Sequence, residues 1–267
     1  MLGSKLYRTT LCADSMAWAK QNLATAPDGA VFLADKLTCA NGRSGRVWKI
    51  YDGQLNVTFI LKPKCLRNFS AEDLPIRINQ LNMAVSLGIY DAIKEFGTSS
   101  AGGISSAGTA DIIGIKWPND FITQNKKVGG VLFHLVWEGE NPAGLICGFA
   151  INVNNIFDKS DDLFETATSL AFIAGSNIEM RPLYKKLLIS IDNYYQKWLS
   201  GNFDEIYKLW RKAQVYLGKP IKVHQKDGAV ISGIMVQVLP NGDMFLLDES
   251  GKQKIISLYM IEQIILS

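Results

Sequence analysis

The stretch from Ile112 to Asn154, IIGIKWPNDFITQNKKVGGVLFHLVWEGENPAGLICGFAINVN, limits what this chain can fold into more than any other. It opens with an apolar run, Ile112 to Ile115, that reads as a buried strand. Pro118 fixes its own φ and drives Trp117 out of the helical region, so the chain must bend within Lys116-Trp117-Pro118-Asn119-Asp120. Phe121 to Thr123 leads into the turn-forming Gln124-Asn125-Lys126, after which Lys127 stands before Val128-Gly129-Gly130 and the β-rich run Val131 to Trp137. A second turn, Glu138 to Gly144, precedes a strand ending at Ile151-Asn152-Val153-Asn154. The strand ends therefore present Lys116, Asn119, Asp120, Lys127 and Asn152 beside two glycines, where bare backbone can approach a ligand closely. Cations and carboxylates converging on such backbone suit a phosphate-containing substrate.

Around this stretch the 267 residues, 48% of them apolar, suit one large domain, alone or with one small one. Lys5 to Leu11 and Ala30 to Asp35 read as strands, with a helix between them capped by Asp14 or Ser15. Gln54 to Leu61 is a further strand, ended by Pro63. Leu74, Ile78, Leu81, Val85, Ile89, Ala92 and Phe96 recur at steps of three and four and mark a long core-facing helix. Gly97 to Asp111 has the composition of a flexible loop. Helices are expected from about Arg181 to Leu199 and from Phe203 to Tyr216, with Tyr184, Tyr194, Tyr195, Trp198, Tyr207 and Trp210 serving packing. Gly218-Lys219-Pro220 marks the boundary between residues 1–216 and 217–267. Beyond it, Ile221 to His224, Ala229 to Leu239 and Met244 to Leu247 read as short strands separated by Asp227-Gly228 and Asn241-Gly242 turns.

Several chemistries drop out. The net charge of +3 implies no general affinity for nucleic acid. The N-terminus MLGSKLYRTT carries neither a secretory signal nor a membrane span. Cys12, Cys39, Cys65 and Cys147 are widely spaced and, with His134 and His224, form no zinc pattern; free thiols in a reducing cytoplasm are the expectation. Two isolated histidines support no Ser-His-Asp set, and no G-x-x-x-x-G-K-[ST] loop is present. Electrostatic and positional catalysis remains. Gly42-Arg43-Ser44-Gly45-Arg46, with two glycines and two arginines, can offer backbone N–H groups and guanidinium forks to a carboxylate or phosphate.

KWPND, KVGG and the GxxINVN strand, in that order behind a GRxGRxW loop, resemble the catalytic core of biotin protein ligases, and the resemblance covers essentially the full length. It implies an α+β fold: a mixed-sheet catalytic domain of the biotin/lipoate ligase type with packed helices, and a small C-terminal SH3-like β-barrel. It implies activation of biotin with ATP and magnesium as biotinyl-5′-AMP, then transfer to a lysine of a biotin carboxyl carrier protein. Lys127 would face both the biotin carboxylate and the adenylate phosphate. Arg43 and Arg46 would hold phosphates, and Asp120 and Asn119 would order nucleotide, magnesium or the incoming lysine. Trp48, Lys116 and Asn152 would line the nucleotide side; Ser15, Leu37, Thr38, Gly42, Arg43, Gly129 and Gly130 would lie against biotin.

The sequence departs from the family at several of these positions. Ser15-Met16-Ala17 stands where the family has Ser-Thr-Asn, Ala40-Asn41 replaces a Gly-Arg pair, and Leu37 replaces a glutamine. Leucine offers no hydrogen bond to a polar ligand edge, so that edge needs another partner; Thr38 is a substitute, although strand alternation points it to the opposite face. A lipoate- or octanoate-transferring relative and a non-catalytic binding paralogue are the competing expectations. No helix-turn-helix domain is expected ahead of Asp14, and a monomer or a homodimer is compatible with the sequence.

Overall fold

In the computed structural model, residues 1–98 and 113–267 are described. The Gly/Ser-rich loop expected from Gly97 lies outside them save for its first two positions, as does Ile112. The elements run β1 (Leu6–Cys12), α1 (Ser15–Gln21), β2 (Val31–Leu37), β3 (Gln54–Leu61), α2 (Asp73–Thr98), β4 (Gly114–Lys116), β5 (Asp120–Thr123), β6 (Lys126–Glu138), β7 (Asn141–Asn152), α3 (Leu170–Ala174), α4 (Met180–Leu199) and α5 (Phe203–Lys212). The seven strands form one sheet in the order β1-β2-β3-β7-β6-β5-β4. β1 and β2 are parallel, and every other neighbouring pair is antiparallel.

Alternation along β3 assigns the two faces of the sheet. Leu55, Val57, Phe59 and Leu61 enter the main core with Leu81, Val85, Ile89 and Ala92 of α2 and with Leu187 and Ile191 of α4. At the crossing of these two helices a Cβ on Gly88 would lie 2.7 Å from Ile191 Cα, so only glycine lets them approach so closely. The other face carries α1, over a smaller cluster of Ala19, Leu23, Phe32, Ile60 and Ile146. Asp14 caps α1, its Oδ1 accepting from the Met16 and Ala17 N–H groups at 2.8 and 3.2 Å. Gln124 and Asn125 both take positive φ, +47° and +63°, which is what a two-residue hairpin turn between β5 and β6 requires.

A second, antiparallel sheet follows Gly218: β8 (Pro220–Gln225), β9 (Val230–Val238), β10 (Met244–Leu247), β11 (Gln253–Ile256) and β12 (Ile261–Leu266), in the order β11-β10-β9-β8-β12. Only the first three of these strands are legible in the sequence. β11 is short and half polar, and β12 is followed by no turn signal. Return of the last strand to the first curls the sheet into a small barrel-like unit. The helix expected to reach Tyr216 ends at Lys212 instead. Residues 213–215 extend along the edge strand β4, with Ile115 N–H donating to Ala213 O (2.8 Å) and Val215 N–H to Ile115 O (3.0 Å). Two ladder hydrogen bonds that would otherwise lie open to solvent are thereby closed. The aromatic set does serve packing: Tyr195 and Trp210 are buried, and the Tyr207 hydroxyl donates to Val238 O across to the second sheet at 2.6 Å. Among the described residues no helix is long and apolar enough to cross a membrane.

Candidate active site

A cavity of about 920 Å³ lies on the α1 side of the large sheet. Its floor is the set of alternate residues not used by the core: Gln54, Asn56 and Thr58 of β3, Gly148, Ala150 and Asn152 of β7, and Gly130 and Leu132 of β6. The register puts Thr58 opposite Gly148, Asn56 opposite Ala150, and Gln54 opposite Asn152. Small residues in the central strand leave room above it. At one end Ser15 shares a 2.7 Å hydrogen bond with the Thr58 hydroxyl, both groups being buried.

The loop carrying the arginines folds over this floor. Gly42 N–H donates to Arg46 O (2.7 Å) and Trp48 N–H to Ala40 O (2.9 Å), while Arg43–Gly45 forms a single tight turn in which Gly45 has φ +74°. Arg43 donates from Nη1 to Asn119 Oδ1 at 3.3 Å and from Nη2 to Ile261 O at 3.5 Å. Asn119 is held in turn by its own side-chain N–H on Val131 O. Arg46 donates to Glu262 O at 2.9 Å. Outside the loop, Lys49 is clamped by Asp162 and Asp161, and the Tyr51 hydroxyl donates to Asp161 Oδ2 at 2.6 Å.

Lys127 stands at the centre. Its ammonium lies 2.7 Å from Asp120 Oδ1 and 5.0 Å from the centroid of the Trp48 ring. Its backbone is pinned on both sides: its N–H donates to Thr166 O (2.7 Å), and its carbonyl accepts from Thr168 N–H (2.9 Å) and from Asn152 Nδ2 (3.3 Å). Lys116 completes the group, 5.6 Å from the Tyr216 ring. Burial is the largest influence on both Lys116 and Arg43, pushing each pKa down; Asp120 opposes it, while Arg46 adds to the lowering at both and Lys127 adds to it at Lys116. Lys116, Lys127 and Arg43 thus cluster about one partly exposed carboxylate, with Arg46 nearby, and such an arrangement favours an anionic ligand. Trp117, 1% exposed, packs beneath it.

Two expected contacts are displaced. Thr38 is exposed and does not line the cavity, because alternation with Leu37, which does line it, turns Thr38 outward. Gly129 likewise lies outside the cavity: a Cβ there would sit 2.6 Å from Ala150 O, so this glycine serves the β6–β7 pairing, not a ligand. Gly130 does face the cavity, where a Cβ would lie 3.1 Å from Asp120 Oδ1 and 3.4 Å from Lys127 Cε. The remaining expected residues, Ser15, Leu37, Gly42, Arg43, Arg46, Trp48, Lys116, Asn119, Asp120, Lys127 and Asn152, line one space. Sequence reasoning missed Asn56, Thr58, Thr166, Ala167 and the β12 wall from Ile261 to Leu266. The period-two pattern of β3 was a usable signal for the first two; nothing local signals the β12 wall.

Comparison with known proteins decides the family. The model of the Biotin/lipoate A/B protein ligase family matches residues 7–152, more than half of the chain. The chain belongs to this family. Among other ligase-family proteins, it is 28% identical over 235 residues to the bifunctional ligase/repressor BirA of Bacillus subtilis, covering 87% of this chain and 66% of that protein. It is 24% identical over 225 residues to the biotin–[acetyl-CoA-carboxylase] ligase of Paracoccus denitrificans, covering 84% and 86%. A solved structure of the biotin protein ligase from Aquifex aeolicus in complex with biotin and ATP superimposes with a TM-score of 0.78 at 26% identity, covering 99% of this chain and 100% of that one.

Proposed function

We propose that the protein is an ATP-dependent biotin–protein ligase that forms biotinyl-5′-AMP and transfers the biotinyl group to a lysine of a biotin carboxyl carrier protein. The observation that carries this reading is the Lys127–Asp120 pair inside a ring of cations, above a floor that ends in paired hydroxyls. A biotin carboxylate oxygen attacks the α-phosphorus of ATP, and the bond to the bridging oxygen breaks to release pyrophosphate. The amine of the carrier lysine then attacks the acyl carbon, AMP departs with the bonding electron pair, and the amine loses a proton. Negative charge develops on oxygen in both steps, where fixed cations stabilise it without reorganisation. Lys127, on a backbone held by three hydrogen bonds, is placed to serve both steps. Arg43 and Arg46 steady the phosphates, and Lys116 lies on the nucleotide side. Asp120, paired with Lys127 in the free protein, would be the carboxylate to hold magnesium or orient the incoming amine.

Magnesium enters with the nucleotide in this reading. The ion keeps several waters and is usually held by substrate phosphates and one or two carboxylates, and Asp120 is the carboxylate nearest the cations. Among the described residues no group of three or more His, Cys, Asp or Glu side chains is placed to hold a metal. Asp120 with the phosphates fits the substrate-borne role.

The test is incubation with MgATP and labelled biotin, with lipoate in a parallel arm, with and without a carrier domain. Adenylate from biotin and label on the carrier lysine are expected. Adenylate from lipoate alone would reassign the acid, and no adenylate from either would remove the ligase reading.

We also propose the division into a catalytic part, 1–216, and a tail, 217–267. Truncation after Tyr216 removes the Ile261–Leu266 wall and both carbonyls that hold the arginines. The ATP KM is expected to rise by roughly tenfold or more, the equivalent of about 1.4 kcal/mol of lost binding. Unchanged constants for ATP and carrier would make the tail a bystander.

A further inference from the structure

Among the described residues, the cavity floor holds one polar side chain that the chain itself does not satisfy. On β3, Gln54 is engaged, its Nε2 donating to Asn152 Oδ1 (2.9 Å) and Lys49 O (3.2 Å) and its Oε1 accepting from Tyr51 N–H (3.1 Å). Thr58 is engaged with Ser15. Asn56, between them on the same face, makes no side-chain hydrogen bond to any described residue, and it lines the cavity. Its partner across the ladder is Ala150, and the next residue along the same row is Gly130. The amide therefore stands over a small-residue floor with nothing beside it to bond. Leu37, lining the same cavity, supplies no polar group.

We infer that Asn56 is the specificity residue that reads the polar ring of the acid substrate, supplying the amide that Leu37 cannot. The inference rests on the biotin reading above and deepens it. A cyclic urea presents one carbonyl acceptor flanked by two N–H donors. A carboxamide offers two N–H donors and an acceptor oxygen in one plane, so it can meet the carbonyl and one N–H of such a ring. The Ser15–Thr58 pair spends one O–H on itself, leaving one donor and spare acceptor capacity for the rest of the ring. From the Asn56 strand to the Gly130 strand is two strand spacings, about 9.5 Å, and Gly130 lies against Lys127. A polar ring at Asn56 and a carboxylate at Lys127 thus leave an acyl arm spanning the intervening strand, above Ala150. An acid whose far end is wholly apolar would leave Asn56 desolvated and unpaired, which penalises it.

Titration calorimetry of the full chain with biotin, and with octanoate as an acid lacking the ring, tests this. Asn56→Ala is expected to weaken biotin binding by roughly ten- to a hundredfold and to leave octanoate binding no weaker, or tighter, because the unpaired amide that penalises octanoate is gone. Asn56→Asp keeps the shape and removes the N–H donors, and is expected to give a comparable selective loss. Full biotin affinity in both variants, or equal losses for the two acids, overturns the assignment of Asn56 while leaving the ligase reading in place. A wild-type chain that binds no biotin overturns the ligase reading, and the Asn56 assignment with it.

Discussion

Lys127→Ala should lower the rate of adenylate formation by about a hundred- to a thousandfold, the consequence of losing about 3–4 kcal/mol of transition-state stabilisation. The fold should survive, because what anchors Lys127 is its backbone, paired with Thr166, Thr168 and Asn152, and alanine keeps all three hydrogen bonds. The lost side-chain contacts are a partly exposed ion pair with Asp120 and a cation–π contact with Trp48. Each contributes at most about 1 kcal/mol to stability in such a setting. Single-turnover measurement on saturating MgATP and biotin, beside a thermal melt, separates the two effects. Near wild-type turnover would remove Lys127 from the chemistry. A collapsed melting temperature would mean that the side chain holds the structure.

The adjacent glycines should fail in different ways. Gly129→Ala places a Cβ 2.6 Å from both Ala150 O and Ile151 Cδ1, so β6 and β7 must part in the middle of the seven-stranded sheet. Overpacking of this kind costs about 1–3 kcal/mol, and Tm should fall by roughly 3–10 °C. Gly130→Ala meets Asp120 Oδ1 at 3.1 Å and Lys127 Cε at 3.4 Å, groups at the end of side chains that can yield. That variant should melt close to wild type yet form adenylate at least about tenfold more slowly, because a small displacement of reacting groups weighs heavily on rate. Melting curves and adenylate rates for both proteins decide the matter. A Gly130→Ala protein less stable than Gly129→Ala would reverse the assignment.

The burial that lowers the Lys116 and Arg43 pKa values has a functional consequence. In the free protein Asp120 is the anion that opposes burial at each of them. In the proposed function a bound phosphate would take over that role beside Lys116.

Much of the site was written in the sequence. Pro118 and the Gln124–Asn125 turn set the bends of the central stretch, and period-two alternation set which residues of β3 face the core. KWPND, KVGG and GRSGR bring Lys116, Lys127, Arg43 and Arg46 to one cavity, as the resemblance implied. Thr38 and Gly129 lie off the cavity because strand alternation, with Leu37 and Gly130 facing it, turns each to the opposite side. Tertiary structure alone supplied the rest. The 213–215 run along β4 and the carbonyls of β12 that hold Arg43 and Arg46 leave no local pattern. Arg46 and Glu262 are 216 positions apart, and their contact exists only because the second sheet packs against the first. A backbone carbonyl is common to all residues, so no side-chain type at Ile261 or Glu262 could announce that it would hold an arginine; only packing of the two sheets decides which carbonyls do.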